Sequence, residues 1–194
     1  MNDSYLLLGI LLVLAHTLLV THSLTLVDRD RWSFTFQMCA LLSRFKSIEG
    51  SVAQGGVSFR PSGYGEQNKS DKVFVSERCL DTDYHCFTKM LHSDGAISGM
   101  ELQIYEQYFA HLVAMSTPLS AIVPVNTSPE LCFERIKQRS RRGEDGITLE
   151  YLKALDYWTN LWIKSTNVPV LSIDPSGADK EKIDGFIEKY LAES

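Results

Sequence analysis

The sequence predicts an α/β domain in which helices cover both faces of a parallel sheet. Short apolar segments, such as residues 121–125 and 168–173, alternate with longer segments whose apolar residues have helical spacing. The 194 residues are 44% hydrophobic and 22% charged, which is enough for one domain with its own core. This composition excludes disordered, collagen-like and small disulfide-stapled proteins.

Charge and cysteine content narrow the function classes further. The formal net charge of −5 argues against a protein that binds nucleic acid along its whole surface. The four cysteines are scattered and include no C-x-x-C pair, so a zinc ribbon or a thioredoxin-like site is not expected. A reducing compartment is the simpler interpretation.

The first 27 residues differ from the rest, and we predict a division into residues 1–27 and residues 28–194. The run from Tyr5 to Val27 is almost free of charge and is long enough to cross a bilayer, which takes about 20 apolar residues. It could be a membrane anchor, a cleaved signal peptide or a buried element. No positive charge precedes it and polar residues dilute its second half, so we do not expect secretion. Membrane anchoring through residues 5–25 remains the alternative.

The first elements of the domain follow from local patterns. Apolar residues at helical spacing predict a helix from about residue 28, with Asp28 or Asp30 as its N-cap. Residues 50–72 are rich in glycine and polar residues and predict a long surface loop. Residues 73–75 predict a short buried strand, and a turn that becomes helical follows it.

The second half contains a helix start with three agreeing signals. Ser128 can cap the helix, Pro129 suits its first position, and Glu130 favours its positive end, so a helix should run from there to about Arg139. The other predicted elements are helices over 99–115, 148–164 and 179–191 and strands over 121–125 and 168–173. We expect the first of these strands to belong to the core, and Pro124 suggests an irregular or edge position for it.

Two charged segments are candidates for chemistry. Glu77 and Arg78 follow the predicted strand 73–75, and the carboxyl ends of parallel strands are where such sheets bind ligands. A glutamate can hold Mg²⁺ or accept a proton, and an arginine can neutralise a phosphate, although a solvated loop pair is an equal alternative. Residues 135–142 contain five basic residues, which could close over a polyphosphate as a lid does. Favourable placement at a helix C-terminus explains only one or two of them.

A phosphate-binding loop of the G-x-x-x-x-G-K-[ST] type does not occur in the sequence. The nearest segment, Gly65 to Ser70, has no glycine before its lysine and precedes a predicted strand instead of following one. We therefore do not interpret it as a phosphate loop.

Four segments taken together resemble the deoxynucleoside kinase family, in particular its deoxycytidine and deoxyguanosine kinase branches. They are RWSFTFQ…LLSR (31–44), VFVSERCLDTDYHCFTKML (73–91), TSPELCFERIKQRSRRGEDGITLEYL (127–152) and VLSID (170–174). The resemblance implies a P-loop kinase-like fold with a parallel sheet. It also implies transfer of a phosphoryl group from ATP to the 5′-hydroxyl of a deoxynucleoside, with Mg²⁺, by a homodimer in the cytoplasm or the mitochondrion.

The resemblance also implies roles for individual residues. Glu77 would hold Mg²⁺ or act as the base, and Arg78 would steady the 5′-oxygen. The family's glutamine that pairs with the nucleobase matches Gln37, and its stacking ring matches Phe87. The substrate-binding set is completed by Arg44, Asp83 and Glu144, the last of these on the sugar 3′-hydroxyl. The ATP- and phosphate-binding set is Arg135, Arg139, Arg141, Gly177, Ala178 and Asp179.

We expect the side chains that bind the nucleoside to converge on one cleft, and the Arg44–Asp83 pair to disfavour thymidine. The sequence also departs from the family pattern. The first strand and its Gly-rich phosphate loop are missing or replaced, and the tyrosine that assists the 3′-hydroxyl falls at Leu26. Two interpretations follow: a kinase whose sequence is incomplete or mis-joined, or an inactive relative that binds nucleosides or a dimer partner.

Overall fold

The computed structural model describes residues 28–53, 76–140, 144, 146–173 and 180–192. These ranges are mostly helical. Helix α2 covers residues 80–93 in three parts, of which Leu80–Thr82 and Lys89–Ser93 are α-helical and Asp83–Thr88 is π-helical. The other helices are α1 (Arg29–Ala53), α3 (Gly99–Met115), α4 (Pro129–Arg139), α5 (Leu149–Ser165) and α6 (Lys180–Ala192).

Helix α1 begins where its cap was predicted and ends later than predicted. Oδ1 of Asp28 accepts a hydrogen bond from the backbone N–H of Arg31 at 3.0 Å, so Asp28 and not Asp30 is the cap. The predicted loop over 50–72 was wrong for residues 50–53, which are helical. Buried Ile48 anchors this last part in the core, and the Glu49 carboxylate accepts a hydrogen bond from the hydroxyl of Ser116 at 3.3 Å.

Three further helices begin at a capping hydroxyl, and of these caps the one at Ser128 was predicted from the sequence. Ser98 and Ser128 each accept a hydrogen bond from a backbone N–H three residues later, and Thr148 does the same for α5. Helices α3 and α4 have the predicted bounds, whereas α5 and α6 each lie one residue later than predicted.

The predicted strands over 121–125 and 168–173 pair in parallel at two isolated bridges, Ile122 with Val170 and Val125 with Ile173. In the described ranges this is the only part of the predicted sheet that is observed, and the predicted strand 73–75 lies outside them. Val123 and Val125 are 37% and 56% exposed, which contradicts a buried core strand and is compatible with the edge position that Pro124 suggested.

The core joins α1, α2 and α3. Leu41 on α1 and Tyr105 on α3 are fully buried, and Leu80 at the start of α2 packs in the same cluster. A second cluster around Leu91 and Ile97 closes the turn between α2 and α3. Among the described residues no helix is both long and apolar enough to span a membrane. The apolar segment 5–25 lies outside those residues.

Candidate functional site

An ion pair between α1 and α2 forms the centre of the candidate site. Nε of Arg44 donates to Oδ2 of Asp83 at 2.6 Å. The Asp83 side chain is 3% exposed and that of Arg44 is 23% exposed. Burial raises the pKa of Asp83, and the Arg44 hydrogen bond and the Arg78 charge oppose that shift. The pair therefore presents a carboxylate and a guanidinium in a region from which most water is excluded.

Arg78 joins this pair to an aromatic ring. Its guanidinium carbon lies 4.6 Å from the centroid of the Phe87 ring, within the range of a cation–π interaction. Since the charge of Arg78 also acts on Asp83, contacts and charges link Arg44, Arg78, Asp83 and Phe87 into one group. The structure thus brings together four of the residues that the family resemblance singled out.

The π-helical turn of α2 arranges the side chains of this group. Asp83 and Phe87 are both in the turn Asp83–Thr88, and Lys89 N–H bonds to the carbonyl of Tyr84, five residues earlier. Such wide turns occur frequently at functional sites. The sequence pattern predicts a helix here but does not indicate the π-helical turn.

Gln37 lies on α1, seven residues before Arg44, and is buried. Two helical turns separate the two residues, so they share one side of the helix. This places the amide of Gln37 on the side of α1 that carries the Arg44–Asp83 pair.

Glu77 is exposed in the segment between residues 76 and 79, just before α2. The hydroxyl of Ser76 donates to the carbonyl of Arg78 and holds this short turn. In the ranges that the structure describes, no group of three or more carboxylate, histidine or cysteine side chains is suited to a metal ion. A single exposed carboxylate nevertheless fits Mg²⁺, which usually binds one or two carboxylates together with waters and substrate phosphates.

The predicted lid residues form a separate pair. Nη2 and Nε of Arg139 donate to the two carboxylate oxygens of Glu144 at 2.7 and 3.3 Å. Among the described residues, Glu144 therefore contacts Arg139 and not the group around Asp83. The two residues have opposite charges and lie five positions apart, so they meet at the C-terminal end of α4. Arg135 is exposed on the same helix. The remaining predicted ATP-binding residues lie outside the described residues: Arg141, Gly177, Ala178 and Asp179.

Two residues near the ion pair were missed by sequence reasoning. Tyr105 on α3 is fully buried, and the charges of Asp83 and Arg44 act on its hydroxyl. Thr88 is also fully buried, and its hydroxyl donates to the carbonyl of Asp83 at 2.9 Å. No local pattern marks either residue, since a tyrosine and a threonine on helices are ordinary core residues.

Comparison with known proteins decides the family. A family model described as "Deoxynucleoside kinase" matches residues 23–192. The chain belongs to the deoxynucleoside kinase family. Membership implies the α/β class of the P-loop kinases, of which the two parallel bridges are the part observed here.

Curated relatives of the family include proteins from several vertebrates. Human deoxycytidine kinase is 30% identical over 174 residues, which cover 82% of this chain and 63% of the relative. Deoxycytidine kinase 2 of Gallus gallus is 28% identical over 174 residues, covering 83% of this chain and 61% of the relative. The mitochondrial deoxyguanosine kinase of Xenopus laevis is 28% identical over 160 residues, covering 76% and 57%. The chain thus spans less than two thirds of the length of these relatives.

Proposed function

We propose that this chain transfers a phosphoryl group from ATP to the 5′-hydroxyl of a purine deoxynucleoside or of deoxycytidine. Family membership supports the reaction class. The observation that carries the substrate class is the buried pair of Arg44 and Asp83 beside the ring of Phe87.

The chemistry of the pair favours bases that carry an amino group. The carboxylate of Asp83 can accept a hydrogen bond from the amino group of cytosine or adenine, whereas thymine has a carbonyl oxygen at that position. Arg44 is held against Asp83 and could meet the 6-carbonyl of guanine. The amide of Gln37 can read the remaining base edge with two hydrogen bonds, and Phe87 supplies a flat apolar surface for stacking.

We call Gln37, Arg44, Asp83 and Phe87 the base site. The transfer step would use other charged residues. The Arg78 guanidinium can hold the 5′-oxygen, and the arginines Arg135, Arg139 and Arg141 can bind phosphate oxygens through planar, two-pronged hydrogen bonding. Glu77 would hold Mg²⁺, which neutralises charge on the phosphates when it is bound. Gly177, Ala178 and Asp179 would line the site of the ATP adenine.

A second candidate function is nucleoside binding without phosphoryl transfer. It is favoured by one sequence observation: the 194 residues contain no G-x-x-x-x-G-K-[ST] segment, whose backbone N–H groups and lysine cradle the phosphates in this class of kinases. Both candidates use the same base site, so they differ only in the fate of ATP.

Calorimetric titration with deoxycytidine, deoxyadenosine, deoxyguanosine and thymidine tests the base site. We expect thymidine to bind most weakly, and Asp83→Asn to reduce the affinity for deoxycytidine about tenfold or more, since it removes a charged hydrogen-bond acceptor. Asp81→Asn is the matched control, because it makes the same change two residues earlier and should leave affinity unchanged. Tightest binding of thymidine, or equal effects of the two variants, would contradict the proposed substrate class.

A radiolabel transfer assay with ATP and Mg²⁺ then separates the two candidate functions. Formation of deoxynucleoside monophosphate that Asp83→Asn suppresses and Asp81→Asn does not would support the kinase. Nucleoside binding with no monophosphate formed by the wild-type chain would support the binding protein.

We also propose that the chain forms a homodimer through α3. Exposed apolar side chains at intervals of four and seven residues line one side of this helix: Met100, Ile104, Tyr108 and Met115. Leu42 on helix α1 is also an exposed apolar residue. An apolar stripe of this length on the surface is typical of an interface, and one helix can meet its own copy about a two-fold axis.

Light scattering coupled to size exclusion tests the dimer. Ile104→Lys should convert a dimer of the wild-type chain to a monomer, whereas Leu161→Lys, at an exposed leucine on α5, should not. A wild-type chain that is monomeric at tens of micromolar would contradict this proposal.

For localisation we propose the cytoplasm or the mitochondrion. The four cysteines are all free thiols, which is consistent with a reducing compartment, and the Xenopus laevis relative is named as mitochondrial. Fractionation of cells expressing the chain with and without residues 1–27 tests this. Membrane association that depends on residues 5–25 would support the anchor instead.

A further inference from the structure

The ring of Phe87 is covered on one face by the side chain of Arg78. The guanidinium carbon lies 4.6 Å from the ring centroid. Arg78 is exposed and Phe87 is half-buried, so the guanidinium lies between the ring and solvent. Stacked aromatic rings have centroid separations of about 4.5–7 Å, which is the same distance range. A nucleobase and the guanidinium therefore exclude each other from this face of the ring.

The covered face is on the side of the ring that a nucleobase needs. Asp83 and Phe87 lie four residues apart in the π-helical turn, and this spacing brings two side chains to the same side of a helix. A base that donates to the Asp83 carboxylate while it stacks on Phe87 lies on that side. The charge of Arg78 acts on Asp83, which is consistent with a guanidinium on the same side of the ring.

The ring contact holds the Arg78 side chain only weakly. Among the residues that the structure describes, its guanidinium forms no hydrogen bond and no ion pair, and the nearby Asp83 carboxylate is bonded to Arg44. The backbone of Arg78 is fixed, because its carbonyl accepts a hydrogen bond from Ser76. A single cation–π contact at an exposed site is weak, so the long side chain can leave the ring without a change in the backbone.

We propose that Arg78 is a movable cover of the base site. A nucleoside displaces its guanidinium from the Phe87 ring, and the displaced guanidinium then binds the 5′-oxygen of that nucleoside. This inference rests on the proposed function and deepens it, because it couples recognition of the base to positioning of the phosphate acceptor. Only a ligand with a 5′-oxygen replaces the lost ring contact, so the cover disfavours free bases and 5′-deoxynucleosides.

Calorimetric titration with 2′,5′-dideoxycytidine and deoxycytidine tests the cover. The first ligand lacks the 5′-hydroxyl, so Arg78→Ala should bind it about twofold to fivefold more tightly than the wild type does, the effect of one exposed cation–π contact. The same variant should bind deoxycytidine no more tightly than the wild type, because the contact with the 5′-oxygen is lost as well.

Arg31→Ala is the matched control. The guanidinium carbon of Arg31 also lies 4.6 Å from a ring centroid, that of Trp32, and Arg31 is exposed and lies outside the base site. This variant should bind both ligands as the wild type does. Equal gains for Arg78→Ala and Arg31→Ala would overturn the proposal, since they would show a general effect of lost positive charge.

The Phe87→Leu background separates the ring contact from the charge that Arg78 places near Asp83. Without the ring there is no face to cover, so Arg78→Ala should not tighten binding of 2′,5′-dideoxycytidine in that background. A gain of the same size with and without the ring would contradict the cover, because the lost charge would then explain it.

NMR of the ¹⁵N-labelled full chain follows the guanidinium directly. A proton above an aromatic ring is shielded, so the Nε–H signals of Arg78 and Arg31 should both lie upfield. Deoxycytidine should move only the Arg78 signal downfield, toward its position in Phe87→Leu. Binding of deoxycytidine that leaves this signal unchanged would overturn the cover and leave the proposed function intact. Binding of no nucleoside by either the wild type or Arg78→Ala would overturn both.

Discussion

Arg44 and Asp83 stand 39 residues apart in the sequence, and their side chains meet at 2.6 Å between α1 and α2. The Asp83 carboxylate is almost completely buried, so the hydrogen bond and charge of the Arg44 guanidinium are what mainly offset the loss of its hydration. Arg78 adds a second positive charge nearby. The consequences of this arrangement for stability and for binding can be measured separately.

Removal of Arg44 should destabilise the fold far more than removal of an exposed ion pair. Arg44→Met leaves the Asp83 charge buried and should lower the free energy of unfolding by roughly 3 kcal/mol, whereas the double variant Arg44→Met/Asp83→Asn should recover more than half of that loss. Arg29→Met, which breaks the exposed pair with Asp94, is the control and should lose less than about 1 kcal/mol. Urea denaturation measures all three, and similar losses for Arg44→Met and Arg29→Met would contradict the prediction.

Glu106 should make stability depend on pH at acidic values. Hydrogen bonds from Tyr84 at 2.7 Å and from Lys89 at 3.0 Å lower the pKa of Glu106 below its ordinary 4.5. As the pH falls, the unfolded chain therefore binds a proton first, so the stabilisation is complete above pH 4.5 and is lost as the pH falls through the lower pKa of the folded state.

Glu106→Gln should reduce the slope of unfolding free energy against pH between pH 5 and pH 3, and Tyr84→Phe should reduce it in part. Chemical denaturation at closely spaced pH values measures the slopes. Identical slopes for the wild type and Glu106→Gln would show that the two hydrogen bonds do not stabilise the ionised carboxylate.

The Arg139–Glu144 pair should contribute little to stability and much to binding. Arg139 is 46% exposed, so Glu144→Gln should change the free energy of unfolding by less than about 1 kcal/mol. If Glu144 binds the sugar 3′-hydroxyl, the same variant should weaken deoxynucleoside binding about tenfold, since a charged hydrogen bond is lost.

A variant in which Arg139 and Glu144 are exchanged distinguishes the effect of their ion pair from a direct contact of Glu144 with the nucleoside. Arg139→Glu/Glu144→Arg keeps opposite charges at the end of α4 and should not restore nucleoside affinity. Calorimetry measures the nucleoside affinity of the double variant. Wild-type affinity in that variant would indicate that the ion pair, and not a contact of Glu144 with the sugar, supports binding.

Phe87 should be needed for binding because of its flat ring and not only its apolar volume. Phe87→Leu should weaken deoxynucleoside binding about tenfold, which is in the range of one lost stacking contact. Phe133→Leu is the matched control, because a cation, here Lys137 at 4.2 Å, likewise covers that ring on α4. Equal affinities of the two variants would argue against stacking on Phe87.

Much of the helical structure could be predicted because helix ends depend on neighbouring residues. Ser128 with Pro129 marks the start of α4, and the bounds of α3 agree with its sequence pattern. Caps act through hydrogen bonds over three residues, so they can be recognised without tertiary information. The residues of the group around Asp83 were also named in advance, but from the family resemblance and not from spacing.

The tertiary structure alone decided the features that depend on distant contacts. Most of the helices could be predicted from local sequence, because caps and apolar spacing act over a few residues. The π-helical turn at Asp83, by contrast, accompanies a bond to Arg44 from another helix and a buried hydroxyl at Thr88. The partner of Glu144 and the exposure of Val125 likewise depend on which groups packing brings near them. These features depend on which side chains from distant parts of the sequence come into contact, and a local sequence pattern carries no information about such contacts.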